Sequence, residues 1–315
     1  MRGAFIDALM ALAAADERVW LLTGDLGYTV LEPFRERFPD RFVNAGVAEQ
    51  NMTGVAAGLA LSGKVVFTYS IANFPILRCL EQIRNDACYH NLNVNIVSVG
   101  GGVVYGALGY THHAVEDLAI MRTLPNITVV APGDPVEVRL AVPALAARPG
   151  PSYLRLGRAT ETVVHTAGPP PFAIGVPIVV REGGDVVLVS TGGMLASVVE
   201  AADGLATDGV RARIISLHTL KPIDDGALAR AVAGPRHVFF IAEHVESGRP
   251  GEMAAGLFSG LLAPDVALHG LCLAPEALKT VGKREHILAE SGLHPDGIAA
   301  RVRQALGGPA ARAVS

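Results

Sequence analysis

The 315-residue sequence has only three cysteines, and their positions exclude two common kinds of site. Cys79, Cys88 and Cys272 lack the paired spacing of a zinc site, and an odd number cannot form a complete set of disulfides. Such free thiols are typical of a reducing compartment. We therefore expect a cytoplasmic protein.

Long apolar runs and an excess of positive charge are also missing. The apolar segments VVLVST and HVFFIAEH are shorter than the roughly 20 residues that a membrane helix needs. The first twenty residues form an amphipathic start that carries acidic side chains, which is unlike a secretion signal or an anchor. The net charge is −4 and the basic residues are dispersed, so we expect neither a nucleic acid nor a membrane as partner.

Aromatic residues are few, at 5%, whereas half of all residues are hydrophobic and alanine, glycine and valine abound. Strand-like segments alternate with helix-like segments in both halves of the chain. Examples of strand-like segments are VWLLTGD (19–25), KVVFTYS (64–70) and DVVLVSTGG (185–193). Examples of helix-like segments are GAFIDALMALAAAD (3–16) and MLASVVEAADGLATDG (194–209). This alternation predicts parallel βαβ units in open sheets that are covered on both faces. Ligands of such sheets bind at the carboxyl ends of the strands.

A segment rich in proline and glycine, residues 146–177, interrupts the alternation. The sequence therefore predicts an α/β protein of two doubly wound open-sheet domains, residues 1–160 and 181–315, joined by a linker over 161–180.

Glu49 is the only charged side chain between Arg41 and Lys64, in a segment of small and apolar residues that predicts a tightly packed helix. A carboxylate buried without a partner costs several kcal/mol. Glu49 is therefore paired, protonated or used in chemistry. The structural alternatives are that it caps the helix or meets an arginine.

Several motifs, taken in order, resemble the C-terminal half of transketolase, and above all the half that split transketolases encode as a separate polypeptide. They are TGDLG, FPDRFVNAGVAEQ, FTYSIANFP, GYTHHAVED, PSYLRLGR and VGKREHILAESGL, and they span essentially the whole chain. The resemblance implies a thiamine diphosphate pyrimidine-binding domain followed by a transketolase C-terminal domain. It also implies transfer of a two-carbon ketol unit from a ketose to an aldehyde.

The resemblance assigns cofactor-binding roles to residues near the ends of the predicted strands. Glu49 matches the acid that holds a proton against N1′ of the aminopyrimidine, and this proton makes C2 of the cofactor reactive. Phe74 matches the aromatic ring that covers the pyrimidine face. Asp25 corresponds to an acid near the cofactor and the subunit contact, and Tyr69 and Ser70 are weaker cofactor candidates. Phe74 as an ordinary core residue and Asp25 as an acid near a helix start remain alternatives.

Substrate contacts are implied in the same way. His112 matches the active-site histidine that contacts substrate hydroxyls and assists proton transfer, and His113 replaces the usual glutamine. The two histidines could instead cap the following helix. Arg158 matches an arginine that binds the substrate phosphate, whereas Arg155 would point the other way along an extended strand. Thr29 is a further substrate-binding candidate.

The sequence departs from the family at two positions that contact sugar hydroxyls or phosphate. Gly100 stands where the family has a histidine, and Leu108 stands where it has an acid. The same loop provides Tyr105 and Tyr110 instead. These departures predict a donor or acceptor that is larger, deoxygenated or otherwise unusual.

The chain also lacks the GDG motif through which the family binds Mg²⁺ and the diphosphate. We therefore expect no metal ligands here, an N-terminal transketolase subunit that carries GDG as the partner, and two copies of each chain in a heterotetramer. A subunit of a deoxyxylulose-phosphate-synthase-like or pyruvate-dehydrogenase-type enzyme is the alternative. A non-catalytic α/β binding module is a third possibility, which the missing G-x-G-x-x-G after the first strand disfavours.

Overall fold

Every strand belongs to one of two sheets in the described part of the chain, residues 1–157, 162–246 and 251–307 of a computed structural model. The strands are β1 (Val19–Thr23), β2 (Phe42–Asn44), β3 (Val65–Ile71), β4 (Val94–Val99), β5 (Thr128–Val130), β6 (Ser152–Leu156), β7 (Ile178–Arg181), β8 (Val186–Ser190), β9 (Ala212–Ser216), β10 (Thr219–Lys221), β11 (His237–Val245) and β12 (Ala267–Leu273). The first sheet runs β10-β5-β6-β4-β3-β1-β2 and the second runs β12-β11-β8-β9-β7.

Helices follow most strands and cover the sheets. They are α1 (Arg2–Ala15), α2 (Glu32–Arg37), α3 (Glu49–Leu61), α4 (Leu80–Gln82), α5 (Asp117–Thr123), α6 (Pro135–Ala146), α7 (Leu195–Ala206), α8 (Asp225–Val232), α9 (Glu252–Leu257), α10 (Arg284–Glu290) and α11 (Pro295–Ala305). The predicted α/β class with two open sheets is confirmed. Among the residues described, no helix is both long and apolar enough to cross a membrane.

The inner strands are continuous runs of mostly apolar residues because both faces of the sheet are buried. All six residues of β4 and the first six of β3 are buried. Parallel strands need helices on both faces, so both sets of alternating side chains enter a core. The strands β4, β3, β1 and β2 are parallel neighbours, and the segments that follow them therefore meet at one edge of the sheet.

Two regions have an arrangement that the local sequence does not indicate. The segment 210–222 is divided between β9 in the second sheet and β10, which pairs antiparallel with β5 in the first sheet. β10 thus belongs to the sheet of the first domain, although it follows β9 of the second domain in the sequence. The short helix α4 continues directly into a π-helix over Ile83–Cys88.

Candidate active site

Glu49 is the first residue of α3, and its side chain is 2% exposed. Gly24, at the end of β1, leaves room for it: a Cβ built on Gly24 would lie 3.4 Å from Glu49 Cγ. Glu49 Oε2 accepts a hydrogen bond from Arg78 Nη1 at 2.7 Å, whereas Oε1 accepts none from the residues that are described. Of the two structural alternatives, the arginine contact is present and the side-chain cap is not. One oxygen of the buried carboxylate remains available to a ligand.

Arg78 and Phe74 connect Glu49 to His112, in the loop after β4. The Arg78 guanidinium lies over the Phe74 ring, with Cζ 5.2 Å from the ring centroid. The rings of Phe74 and His112 meet edge to face, with centroids 5.2 Å apart. The structure therefore brings the predicted Glu49, Phe74 and His112 into one continuous group. Arg78 was missed in the sequence, although a cation four residues after Phe74 in the same motif was a usable signal.

The ring of Tyr105 fills the space beside Gly100. A Cβ built on Gly100 would lie 2.1 Å from Tyr105 Cε2, and Gly100 has a φ of 88° that favours glycine. The centroids of the Tyr105 and His112 rings are 6.5 Å apart. Leu108 and Tyr110, which are 57% and 59% exposed, continue the same loop. The loop next to His112 thus presents aromatic and apolar groups.

His113 differs from its neighbour His112 in environment. Its side chain is 1% exposed, and this burial lowers the pKa of the imidazole, although Glu243 acts in the opposite direction. His112 is partly exposed, and its Nδ1 lies 3.0 Å from Thr111 Oγ1. Substrate contact by His113 stays a prediction, and within the described residues no ring contact or hydrogen bond joins it to Phe74.

The loop after β1 holds Asp25 and Thr29 in left-handed backbone conformations, with φ of 58° and 67°. Asp25 Oδ1 accepts hydrogen bonds from Asn44 Nδ2 at 2.9 Å and from the Tyr28 hydroxyl at 3.0 Å. These bonds lower the pKa of Asp25, which is therefore charged at neutral pH. The Thr29 N–H donates to Glu32 Oε1. Both side chains are exposed, and their roles toward cofactor, subunit and substrate stay predictions.

Tyr69 and Ser70 lie deeper than the other predicted residues. The Tyr69 ring is 1% exposed and stacks on Phe5 with centroids 5.8 Å apart, in the core beneath the loop after β1. Ser70 is fully buried and faces the other side of the sheet, because side chains alternate along a strand. In the part of the chain that is described, no hydrogen bond joins either residue to Glu49. Arg158 lies outside the described residues.

Asp134, Glu137 and His165 place ligand atoms within 4.8 Å of one another, close enough to hold a metal ion. These atoms already have partners. The two Asp134 oxygens accept four backbone N–H groups, and Glu137 Oε1 lies 2.9 Å from His165 Nε2. The cluster therefore fastens the segment after residue 162 to α6 rather than presenting a free set of oxygens to Mg²⁺.

Arg155 belongs to a buried network that joins the two domains. Its Nε donates to Asp117 Oδ2 at 2.7 Å, and the Tyr153 hydroxyl donates to the same oxygen at 2.6 Å. Its Nη2 donates to the carbonyl oxygens of Ala114 and, on β11, Glu243. The side chain thus links β6 and α5 to the second sheet and not to the group around Glu49.

Comparisons with known proteins agree with this arrangement. Residues 1–161 match the family described as transketolase, pyrimidine binding domain, and residues 175–298 match transketolase, C-terminal domain. The chain is 34% identical over 298 residues to a subunit of the apulose-4-phosphate transketolase of Phocaeicola vulgatus, and the match covers 94% of each chain. It is 38% identical over 232 residues to a 6-deoxy-6-sulfo-D-fructose transketolase subunit of a Clostridium species, covering 73% of this chain and 72% of the other.

Solved structures show the same architecture. A split gene transketolase, described as an inactive beta4 tetramer, superposes with a TM-score of 0.85 at 35% identity, and 97% of each chain is covered. Transketolase of Campylobacter jejuni superposes with a TM-score of 0.77 at 17% identity over 46% of that chain, which shows a shared fold.

Proposed function

Because the chain belongs to the transketolase family as one of the two subunits of the split kind, we propose that it forms the pyrimidine-binding half of a thiamine diphosphate site. The complete enzyme would transfer a two-carbon ketol unit from a ketose to an aldehyde. The observation that carries this proposal is the buried Glu49 carboxylate: one oxygen has no partner among the described residues, and the other is bound by Arg78, which lies over the Phe74 ring.

The residues present fit the pyrimidine end of the cofactor. Glu49 Oε1 would hold a proton at N1′, in an apolar setting where such a contact is strong. Arg78 is 47% exposed, so it can keep its contact with Oε2 or turn to water without a large desolvation cost. Phe74 would cover the pyrimidine face and exclude water. When bound, the cofactor supplies a reactive C2 carbon that adds to the carbonyl carbon of a ketose.

His112 would serve the substrate rather than the cofactor. It lies against Phe74 and is partly exposed, so its imidazole can reach a substrate hydroxyl and exchange a proton with it. Its contact with Thr111 Oγ1 fixes the orientation of the ring.

A partner subunit would complete the site. Exposed apolar side chains lie on the segments after the strands that end at this edge; they are Tyr28, Val47, Leu77, Leu108 and Tyr110, each at least 46% exposed. A rim of this kind marks a surface that another chain covers. We infer an N-terminal subunit that carries the GDG motif, brings the Mg²⁺ and diphosphate ligands, and forms a heterotetramer with two copies of this chain.

The substrate is proposed to be a ketose other than the usual pentose phosphates. Tyr105 takes the space next to Gly100, and Leu108 is exposed in the same loop, so neither position 100 nor position 108 offers an imidazole or a carboxylate to sugar hydroxyls. The names of two relatives specify apulose 4-phosphate and 6-deoxy-6-sulfo-D-fructose, which are also uncommon sugars. A less polar or modified ketose is therefore the substrate class that we propose.

Calorimetry with thiamine diphosphate and Mg²⁺ tests the division of the site between two chains. The purified chain should bind the cofactor weakly and show no turnover, and addition of a GDG-containing transketolase subunit should produce tight binding and activity. Tight binding by this chain alone would contradict the shared site, because the ligands for the diphosphate would then lie within it.

A further inference from the structure

A cavity of about 420 Å³ lies between the two domains. The first domain contributes Gly101 and Arg155, and the second contributes the start of α7 and the segment 282–285. Val104 and Ala107 also line it, while Tyr105 between them turns toward His112. The cavity is thus distinct from the group around Glu49, although both touch the same loop. Its volume is typical of sites for small molecules, which span roughly 300–1,000 Å³.

Arg155 brings an unused donor to this cavity. The side chain is 4% exposed, and its Nε and Nη2 atoms already donate to Asp117 and to two carbonyl oxygens. Nη1 donates no hydrogen bond to any described residue and lies 3.5 Å from the place of a Cβ on Gly192. Nη1 is not among the buried atoms that lack a partner, so it meets the open space of the cavity. It can donate to a ligand with acceptor oxygens there.

The start of α7 faces the same space. A turn over Gly192–Met194 leads into this 12-residue helix, and Gly193, Ala196 and Ser197 line the cavity. The Leu195 N–H donates to the Gly192 carbonyl oxygen, so the N–H groups that lack an acceptor among the described residues are those of Gly193 and Met194 in the turn. The helix dipole adds partial positive charge at this end. A helix start next to a buried arginine favours an anion.

The charged side chains around the inner end of the cavity form two ion pairs, Arg155 with Asp117 and Arg284 with Glu243. Glu243 is neutralised by Arg284, whose Nε and Nη2 lie 3.1 Å and 2.7 Å from its oxygens. Lys283 is exposed at the mouth, and the carboxylates of Glu200 and Glu285 are exposed there too, so water can solvate them. The inner wall therefore offers donors, while the mouth carries both signs of charge.

We propose that this cavity binds a small oxoanion, of the size of phosphate. Arg155 Nη1 and the N–H groups of the turn Gly192–Met194 that opens α7 hold its oxygens, and Lys283 attracts it at the mouth. The bound anion joins β6 of one domain to α7 of the other. The site does not depend on the cofactor or on the proposed transferase activity.

Titration of inorganic phosphate into the purified full chain, followed by calorimetry, tests the proposal. Ser197→Asp places a carboxylate in the first turn of α7, where an acid suits the helix, so the fold is kept. Because like charges repel, this variant should bind phosphate at least about tenfold more weakly. Ser259→Asp adds the same charge at an exposed position that does not line the cavity, and it should bind as the wild type does.

Hydrogen exchange followed by mass spectrometry locates the phosphate. Phosphate should slow exchange in peptides that cover residues 101–107 and 192–197, and it should lose this effect in Ser197→Asp. Absence of saturable phosphate binding to the wild-type chain would overturn the proposal. So would an undiminished affinity of Ser197→Asp, or protection confined to the loops around Glu49 and His112.

Discussion

Replacement of Glu49 by glutamine separates the chemical role of this carboxylate from its structural role. Glutamine keeps the shape of the side chain but cannot stabilise a proton at N1′ as an anion does. The carboxylate is 2% exposed, and among the described residues only Oε2 has a partner, Arg78 Nη1 at 2.7 Å. Removal of one preorganised contact of this kind typically costs about 2.7–4 kcal/mol, or 10²–10³ in rate. C2 deprotonation should slow by at least that factor.

The stability of the fold should change little in the same variant. Arg78 is 47% exposed, and an ion pair with a partner in water is worth about 1 kcal/mol or less. Loss of the pair is offset because glutamine buries no charge. The free energy of unfolding of Glu49→Gln should therefore stay within about 1 kcal/mol of the wild-type value, and assembly with the partner should persist.

Exchange of the C2 proton for deuterium, measured by NMR on the cofactor bound to the reconstituted complex, reports on this step without knowledge of the substrate. Glu17→Gln is the matched control, because Glu17 is exposed and precedes β1, at the opposite end of the strand from Gly24. This control should exchange C2 at the wild-type rate. If Glu49→Gln does so as well, Glu49 is a packing and ion-pairing residue and the proposed role is wrong.

Three further outcomes are expected. Xylulose 5-phosphate and ribose 5-phosphate should be poor substrates of the reconstituted complex, because each missing polar contact costs about 1–3 kcal/mol in kcat/KM; efficient turnover would contradict the proposed substrate class. Asp134→Ala should lower the free energy of unfolding, measured in urea, by about 3 kcal/mol, because this buried N-cap of α6 accepts hydrogen bonds from four N–H groups. Asp224→Ala should lower it by only about 1 kcal/mol, because Asp224 is an exposed cap of α8 with one such bond. The Glu137 hydrogen bond raises the pKa of His165 above 6.5, so the stabilisation from this pair is complete below pH 6.5 and disappears as the pH rises through the raised pKa. The Tm of His165→Gln should lack this pH dependence, and an unchanged Tm profile would show that the pair contributes nothing.

The fold class follows from local sequence because the inner strands are buried on both faces. Six consecutive buried residues in β4 must be apolar or fully hydrogen-bonded. Because of this requirement, such a strand can be recognised from its own sequence, without knowledge of the strands that it pairs with. The same alternation places the segments after β1, β2, β3 and β4 at one edge, so the meeting of Glu49, Phe74 and His112 is predictable in outline.

Which sheet a strand joins is not encoded locally. β9 and β10 come from one apolar stretch, yet β9 pairs with β8 and β10 pairs antiparallel with β5 of the other sheet. Their side chains alternate in the same way whichever sheet accepts them, so only the packing of the two domains decides. The contact between Arg78 and Glu49 also cannot be predicted from local sequence, because 29 residues separate the two in the chain.

Gly100 shows how a local comparison can mislead even when the family is correctly identified. From the sequence, glycine at this position is the loss of a polar side chain, and Tyr105 is a separate feature of the same loop. In the structure the two are one feature, because the Tyr105 ring occupies the space that any side chain at position 100 would need. The φ of 88° gives glycine a second advantage there. The wall beside His112 therefore carries the ring and hydroxyl of Tyr105 at this place, and under the proposed function these are the groups that would meet the substrate.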